Sequence, residues 1–140
     1  MNMCRSLISA MLLAATPLWA QTEGTLHVQV HRAAGHSGMV WLALCTSAQF
    51  LKSTCLHKQK LADTQTSATI RVPTGTYALQ VFQDDNSNHT LDTNWLGLPT
   101  EPVGFSGQVS RYGKPKFADA AISIPSGTQV SSTISLSIVF

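Results

Sequence analysis

The sequence has no dense run of lysine or arginine. Its nine basic and seven acidic residues give a formal net charge of +2 at pH 7, and the basic ones are spread along the chain. That excludes the basic stripe on which nucleic-acid binding depends. No Cys-x-x-Cys pair is present, which argues against a thioredoxin-type redox site. A nucleophile elbow is missing too. Gly104-Phe105-Ser106-Gly107 comes nearest, but Gln108 stands where the second glycine belongs. His27 and His31 share a strand face about 13 Å apart at strand rise, too far to hold one metal directly. His36, His57 and His89 fall in unrelated loops. Carboxylate pairs for glycoside hydrolysis would have to come from Asp84, Asp85, Asp92, Glu101 or Asp119. The first three crowd into one loop and leave little for acid–base work. Internal repeats, low-complexity segments and long helical periodicity are all lacking.

Long apolar runs are equally scarce, and the one that exists is at the N-terminus. In MNMCRSLISAMLLAATPLWA, Arg5 precedes an apolar stretch from Leu7 to Ala15, Pro17 breaks it, and Ala20 supplies a small residue before Gln21. This is the three-part layout of a secretory signal peptide, with cleavage expected after Ala20. A spanning helix needs about 20 apolar residues, and this run is shorter and interrupted. The expected organisation is a signal peptide over 1–20 and a single domain over 21–140, exported to the periplasm or secreted, with no membrane span after cleavage. About 120 residues suffice to bury roughly two-thirds of the unfolded surface.

Cysteine is rare, and two of the three remain after cleavage, Cys45 and Cys55. In an oxidising compartment an isolated pair is most simply a disulfide. Two buried free thiols are the alternative.

What the chain does contain is alternation. Leu26, Val28 and Val30 alternate with His27, Gln29 and His31, a period of two that marks a half-buried strand. Met39 to Cys45 is apolar on both faces, the pattern of a central strand covered on both sides. Ser47 to Leu51 fits one helical turn, and Lys52 to Thr66 reads as polar and irregular. Further strands are expected over 68–72, 77–83 and 120–124 and at the C-terminal end, where Ile134, Leu136 and Ile138 alternate with Thr133, Ser135 and Ser137. Residues 84–116 read as one long loop, a length that is often functional. Six or seven strands with regular turns predict an all-β fold, an antiparallel two-sheet sandwich, with a small barrel as the alternative.

The chemistry is concentrated after the strand ending at Gln83. Counting Asp84 as position one, side-chain oxygens fall at positions one, three, five and nine: Asp84, Asn86, Asn88 and Asp92. Thr90, at position seven, offers its carbonyl. This is the spacing of the first three-quarters of a calcium loop, because alternate residues of a curled loop point at one centre and calcium takes six to eight oxygens. Leu91 is placed to pin such a loop to the core. His89 stands where glycine would ease the turn, and Trp95 stands where the closing glutamate of an EF-hand would be. Glu101 is a candidate to close the site from a distance. A cluster of Asx turns free of metal is the competing reading. Trp95, Glu101 and Phe105 form a candidate surface for a protein or glycan partner.

Gly75-Thr76-Tyr77-Ala78, Val81-Phe82-Gln83-Asp84-Asp85-Asn86 and Leu91-Asp92-Thr93-Asn94 resemble the bacterial family known as domain of unknown function 2141. Leu96-Gly97-Leu98-Pro99-Thr100-Glu101, Gly104-Phe105-Ser106 and the run from Pro115 to Ala121 continue the match over nearly the whole expected domain. The resemblance implies an exported bacterial protein of this size. It also implies a glycine at the position of His89, from which this chain departs. The turn around Val72 to Tyr77 is similar to transthyretin-like and carboxypeptidase-regulatory-like sandwiches. The sequence therefore points to a non-enzymatic exported sandwich whose 84–92 loop binds calcium. The alternatives from other classes are a carbohydrate-active hydrolase using Asp92 and Glu101, and an assembly protein that pairs through an edge strand.

Overall fold

A computed structural model describes residues 22–138. The signal-peptide segment, 1–20, lies outside the described residues. The strands are β1 (Glu23–His31), β2 (Met39–Cys45), β3 (His57–Leu61), β4 (Ser67–Pro73), β5 (Gly75–Asp84), β6 (Val103–Phe105), β7 (Ala121–Ile124) and β8 (Gln129–Ser135), with one short helix, α1 (Phe117–Ala120). They form two sheets. One is β4-β1-β8; the other runs β3-β2-β5-β6, with β7 also paired to β5. The pairings are antiparallel except β1 with β8, which is parallel. The expected all-β two-sheet sandwich is the architecture found. Among the described residues no helix is long and apolar enough to cross a membrane.

Alternation explains the core. Leu26, Val28 and Val30 of β1, Val40, Leu42 and Leu44 of β2, Ile70 and Val72 of β4, Leu79 and Val81 of β5, and Ile134 of β8 point between the sheets. Successive side chains of a strand face opposite ways, so each contributes every second residue. β2 departs from expectation in one respect. Its outer residues Met39, Trp41 and Ala43 are half-buried or exposed rather than enclosed, because only loops, not a third layer, lie over that face.

Two strands fall where loop was expected. β3 occupies part of the Lys52–Thr66 stretch, and β6 interrupts the 84–116 segment. β3 is an edge strand whose Lys58, Gln59 and Lys60 are exposed, so it carries no apolar alternation. Lysines on an edge also discourage pairing with another chain. The expected helical turn is present but begins one residue early. Thr46 accepts bonds from Gln49 N and Phe50 N, and Gln49 Oε1 accepts Thr46 N, half of a capping box.

Cys45 and Cys55 are joined in a disulfide. It ties the end of β2 to the start of β3 and closes the loop between them. Replacing both cysteines by alanine is expected to cost about 2.5–3 kcal/mol, since a cross-link of this span restricts the unfolded chain. Urea unfolding of the double variant measures it; an unchanged midpoint would assign the pair no role in stability.

Candidate functional site

Asp84 is the last residue of β5 and lies on the outer face of the larger sheet, opposite Met39 in the register. Gly38 lets it sit there. Gly38 has φ +103, and a Cβ at that position would collide with the Asp84 carbonyl oxygen. The chain after Asp84 curls back over the same face. Asp84 Oδ1 accepts Asn88 N at 3.2 Å, and Oδ2 accepts His89 N at 2.9 Å and Trp41 Nε1 at 3.3 Å. The carboxylate is fully buried as a result. Ser87 and His89 take the left-handed conformation, φ 61 and 66, a region costly for most side chains but tolerated better by His, Asn and Asp. His89 therefore does the work expected of glycine. Its ring packs against Trp41 with centroids 5.4 Å apart.

The remaining oxygen-bearing residues meet at one point. Asn86 Nδ2 donates to Asp92 Oδ2 and Asn88 Nδ2 donates to Asp92 Oδ1 at 2.9 Å. Asn86 Oδ1 accepts Asn88 N at 3.1 Å, and Asn88 Oδ1 accepts Thr90 N at 2.9 Å. Asp84, Asn86, Asn88 and Asp92, selected from spacing alone, are thus brought into one connected cluster. Thr90 joins it through its amide and hydroxyl. Leu91 does not reach the core; it is 38% exposed, because the loop folds over the outside of the sheet rather than into the sandwich.

Glu101 has a role that spacing did not reveal. It is 3% exposed. Oε1 accepts Asp85 N at 2.9 Å and Oε2 accepts Asp92 N at 3.0 Å. One buried carboxylate therefore staples both ends of the curled loop. Acceptance by a carboxylate makes each bond stronger than a neutral one. Asp85 turns outward to His36 Nδ1, the one contact between a carboxylate and a basic side chain among the described residues. Asp84, Asp92 and Glu101 consequently have no basic side chain as partner there.

The residues that follow form a short arm. Thr93 bridges Pro99, Asn94 N donates to Leu98 O, and Thr100 N donates to Asp92 O. At its tip, Asn94 Oδ1 accepts both Leu96 N and Leu98 N. Trp95 is left 90% exposed and Leu96 61% exposed. Of the three residues expected to face a partner, Trp95 is open to solvent, Phe105 is half-buried and Glu101 is enclosed. Ser106, the residue nearest to a nucleophile motif, is fully buried and bonded to Leu79 N and Ala120 O.

A cation site here would be built only from oxygen. The carboxylates of Asp84 and Asp92, the carboxamides of Asn86 and Asn88 and the Thr90 carbonyl make a hard donor set of the kind calcium takes. The convergence of the two carboxamides on Asp92 fits such an ion. Turning each amide about its terminal bond exchanges nitrogen for oxygen at the same place. Among the described residues no three His, Cys, Asp or Glu side chains converge; the loop's set is mixed, with two carboxylates and two amides.

A family model described as "Uncharacterized protein conserved in bacteria (DUF2141)" matches residues 28–132. A comparison with curated proteins finds no match. Among solved structures the chain is similar to a leucine-rich repeat protein from Bacteroides thetaiotaomicron VPI-5482, at 10% identity and a TM-score of 0.42. That alignment covers 83% of this chain and 12% of the other, so the chain spans a small part of that protein's length.

Proposed function

The chain belongs to the DUF2141 family of uncharacterised bacterial proteins, and we propose that it is an exported, non-enzymatic binding domain whose Asp84–Asp92 loop holds calcium. One observation carries this reading. The carboxylates of Asp84 and Asp92 lie within one short hydrogen-bonded loop, and no basic side chain among the described residues pairs with them. Like charges in such proximity repel unless a cation or hydrogen bonds offset them. Calcium bound by Asp84, Asn86, Asn88, Asp92 and the Thr90 carbonyl offsets them directly. The ion stiffens the arm that follows Asp92, and with it the exposed Trp95 and Leu96. The partner surface of this domain is then the arm tip, for a protein or a glycan. Glu101 spends both oxygens on backbone amides, which favours binding over the hydrolytic alternative with Asp92.

Thermal unfolding of metal-stripped protein in calcium, magnesium or chelator tests the proposal. Calcium at 100 times its dissociation constant adds about 2.7 kcal/mol if it binds only the folded state. Asp92→Ala removes that gain, because Asp92 bonds to the two asparagine amides through its side chain. Equal midpoints in calcium and chelator would leave the loop as a self-sufficient cluster of Asx turns.

A further inference from the structure

The register of the larger sheet places two rows of side chains on its outer face. One row runs Lys60, Trp41, Phe82, Val103; the next runs Lys58, Ala43, Gln80, Phe105. Directly opposed residues share a face, so this is a largely apolar surface turned away from the core. Ala43 is the smallest member and lies among Trp41, Lys58, Gln80 and Phe82, which makes a depression. Two loops wall it. The disulfide loop stands on one side, fastened by Gln80, whose Oε1 accepts Leu51 N at 2.9 Å and whose Nε2 donates to Lys52 O at 3.1 Å. His89, Thr90 and Leu91 stand on the other. The open cleft has a volume of about 470 Å³, within the range of small-molecule sites.

Its charge is of one sign. Lys52 and Lys58 line the cleft, and no aspartate or glutamate does. Lys52 Nζ donates to Ala48 O at 2.7 Å and Lys58 Nζ donates to Ser53 O at 2.5 Å, so carbonyls hold both ammoniums and no carboxylate among the described residues neutralises them. Each ammonium has further N–H groups to offer. Lys60 adds a third positive charge on the same face.

We propose that this cleft binds a single-chain amphiphile with an anionic head. The apolar body lies on Trp41, Ala43 and Phe82, and the head meets Lys52 and Lys58. The apolar floor alone would accept any hydrophobe; the two lysines beside it select the anion. The floor and the lysines lie outside the 84–92 loop, which supplies one wall of the cleft through His89, Thr90 and Leu91.

Calorimetric titration of the full chain in chelator tests it, with decanoate and decyltrimethylammonium each below its micellar concentration and decanol below its solubility limit. Decanoate binds saturably at one site, decanol about tenfold more weakly, and the cationic amphiphile gives no saturable heat. Ala43→Leu fills the depression from the solvent side and weakens decanoate about tenfold or more. Lys52→Ala with Lys58→Ala, at positions off the core, removes the preference for decanoate over decanol and keeps the test decisive if Ala43→Leu perturbs the fold. No saturable heat with decanoate, equal affinity for decanoate and decanol in the unaltered chain, or an intact preference in the lysine variant would each overturn the proposal.

Discussion

Asp84→Ala is expected to cost about 4 kcal/mol of folding stability, the largest effect of any single substitution in the loop. The reason lies in what the carboxylate accepts. Trp41 Nε1, Asn88 N and His89 N all end on it, and none of its surface reaches solvent. Removing the acceptor leaves these donors facing a void, and each buried unsatisfied group costs about 1–3 kcal/mol. Some of that is recovered where water enters beside the exposed part of the loop. Asp84→Asn separates charge from hydrogen bonding. It keeps the shape and one acceptor oxygen but turns an NH₂ towards a donor, and about 2 kcal/mol is expected. Urea unfolding in chelator measures both variants free of any contribution from a cation, with an unchanged slope showing that the folded and unfolded states have kept their compactness. A loss below about 1 kcal/mol for the alanine variant would mean that the loop does not depend on Asp84 for its curl.

The residues that were legible in the sequence are those whose role is local. Leu26, Val28 and Val30 disclose β1 because their period matches the pleat, and an isolated cysteine pair discloses its own bond. Asp84, Asn86, Asn88 and Asp92 stand out because a curled loop and its spacing occupy one short stretch. β3 was illegible for a physical reason: an edge strand packed on one side only, with lysines on its open face, has no hydropathic rhythm to read. The cleft was illegible for another. Trp41, Phe82 and Phe105 become neighbours only through the pairing of β2 with β5 and β5 with β6, and register is a property of the fold rather than of any segment. Leu91 shows the same dependence in reverse. Its apolar character is plain in the sequence, but which side of the sheet the loop covers is decided by the outward direction of Asp84, and that follows from its place opposite Met39.

Glu101 is the sharpest case, because its partners are backbone amides 9 and 16 residues away and amides carry no sequence signature. Glu101→Ala is expected to cost about 3 kcal/mol, from two part-buried N–H groups that lose a charged acceptor. The loss has a location as well as a size. Asp85 N and Asp92 N are the two ends of the curled loop, and Glu101 is all that joins them through one side chain. Hydrogen exchange at these two amides should therefore accelerate well beyond the change shown by the core amides of β1 and β2, as local opening does when a local tie is cut. Glu101→Gln retains one acceptor and should release one end more than the other. Trp95→Ala provides the contrast, since an exposed side chain away from special contacts changes stability by no more than about 0.5 kcal/mol. If Glu101→Ala left Asp85 and Asp92 as protected as before, the loop would be held by Asp84 and the Asx bonds alone. If the amides open as expected, the arm bearing Trp95 is anchored by a carboxylate that belongs to the scaffold. The orientation of that arm would then be set by the fold before any partner arrives.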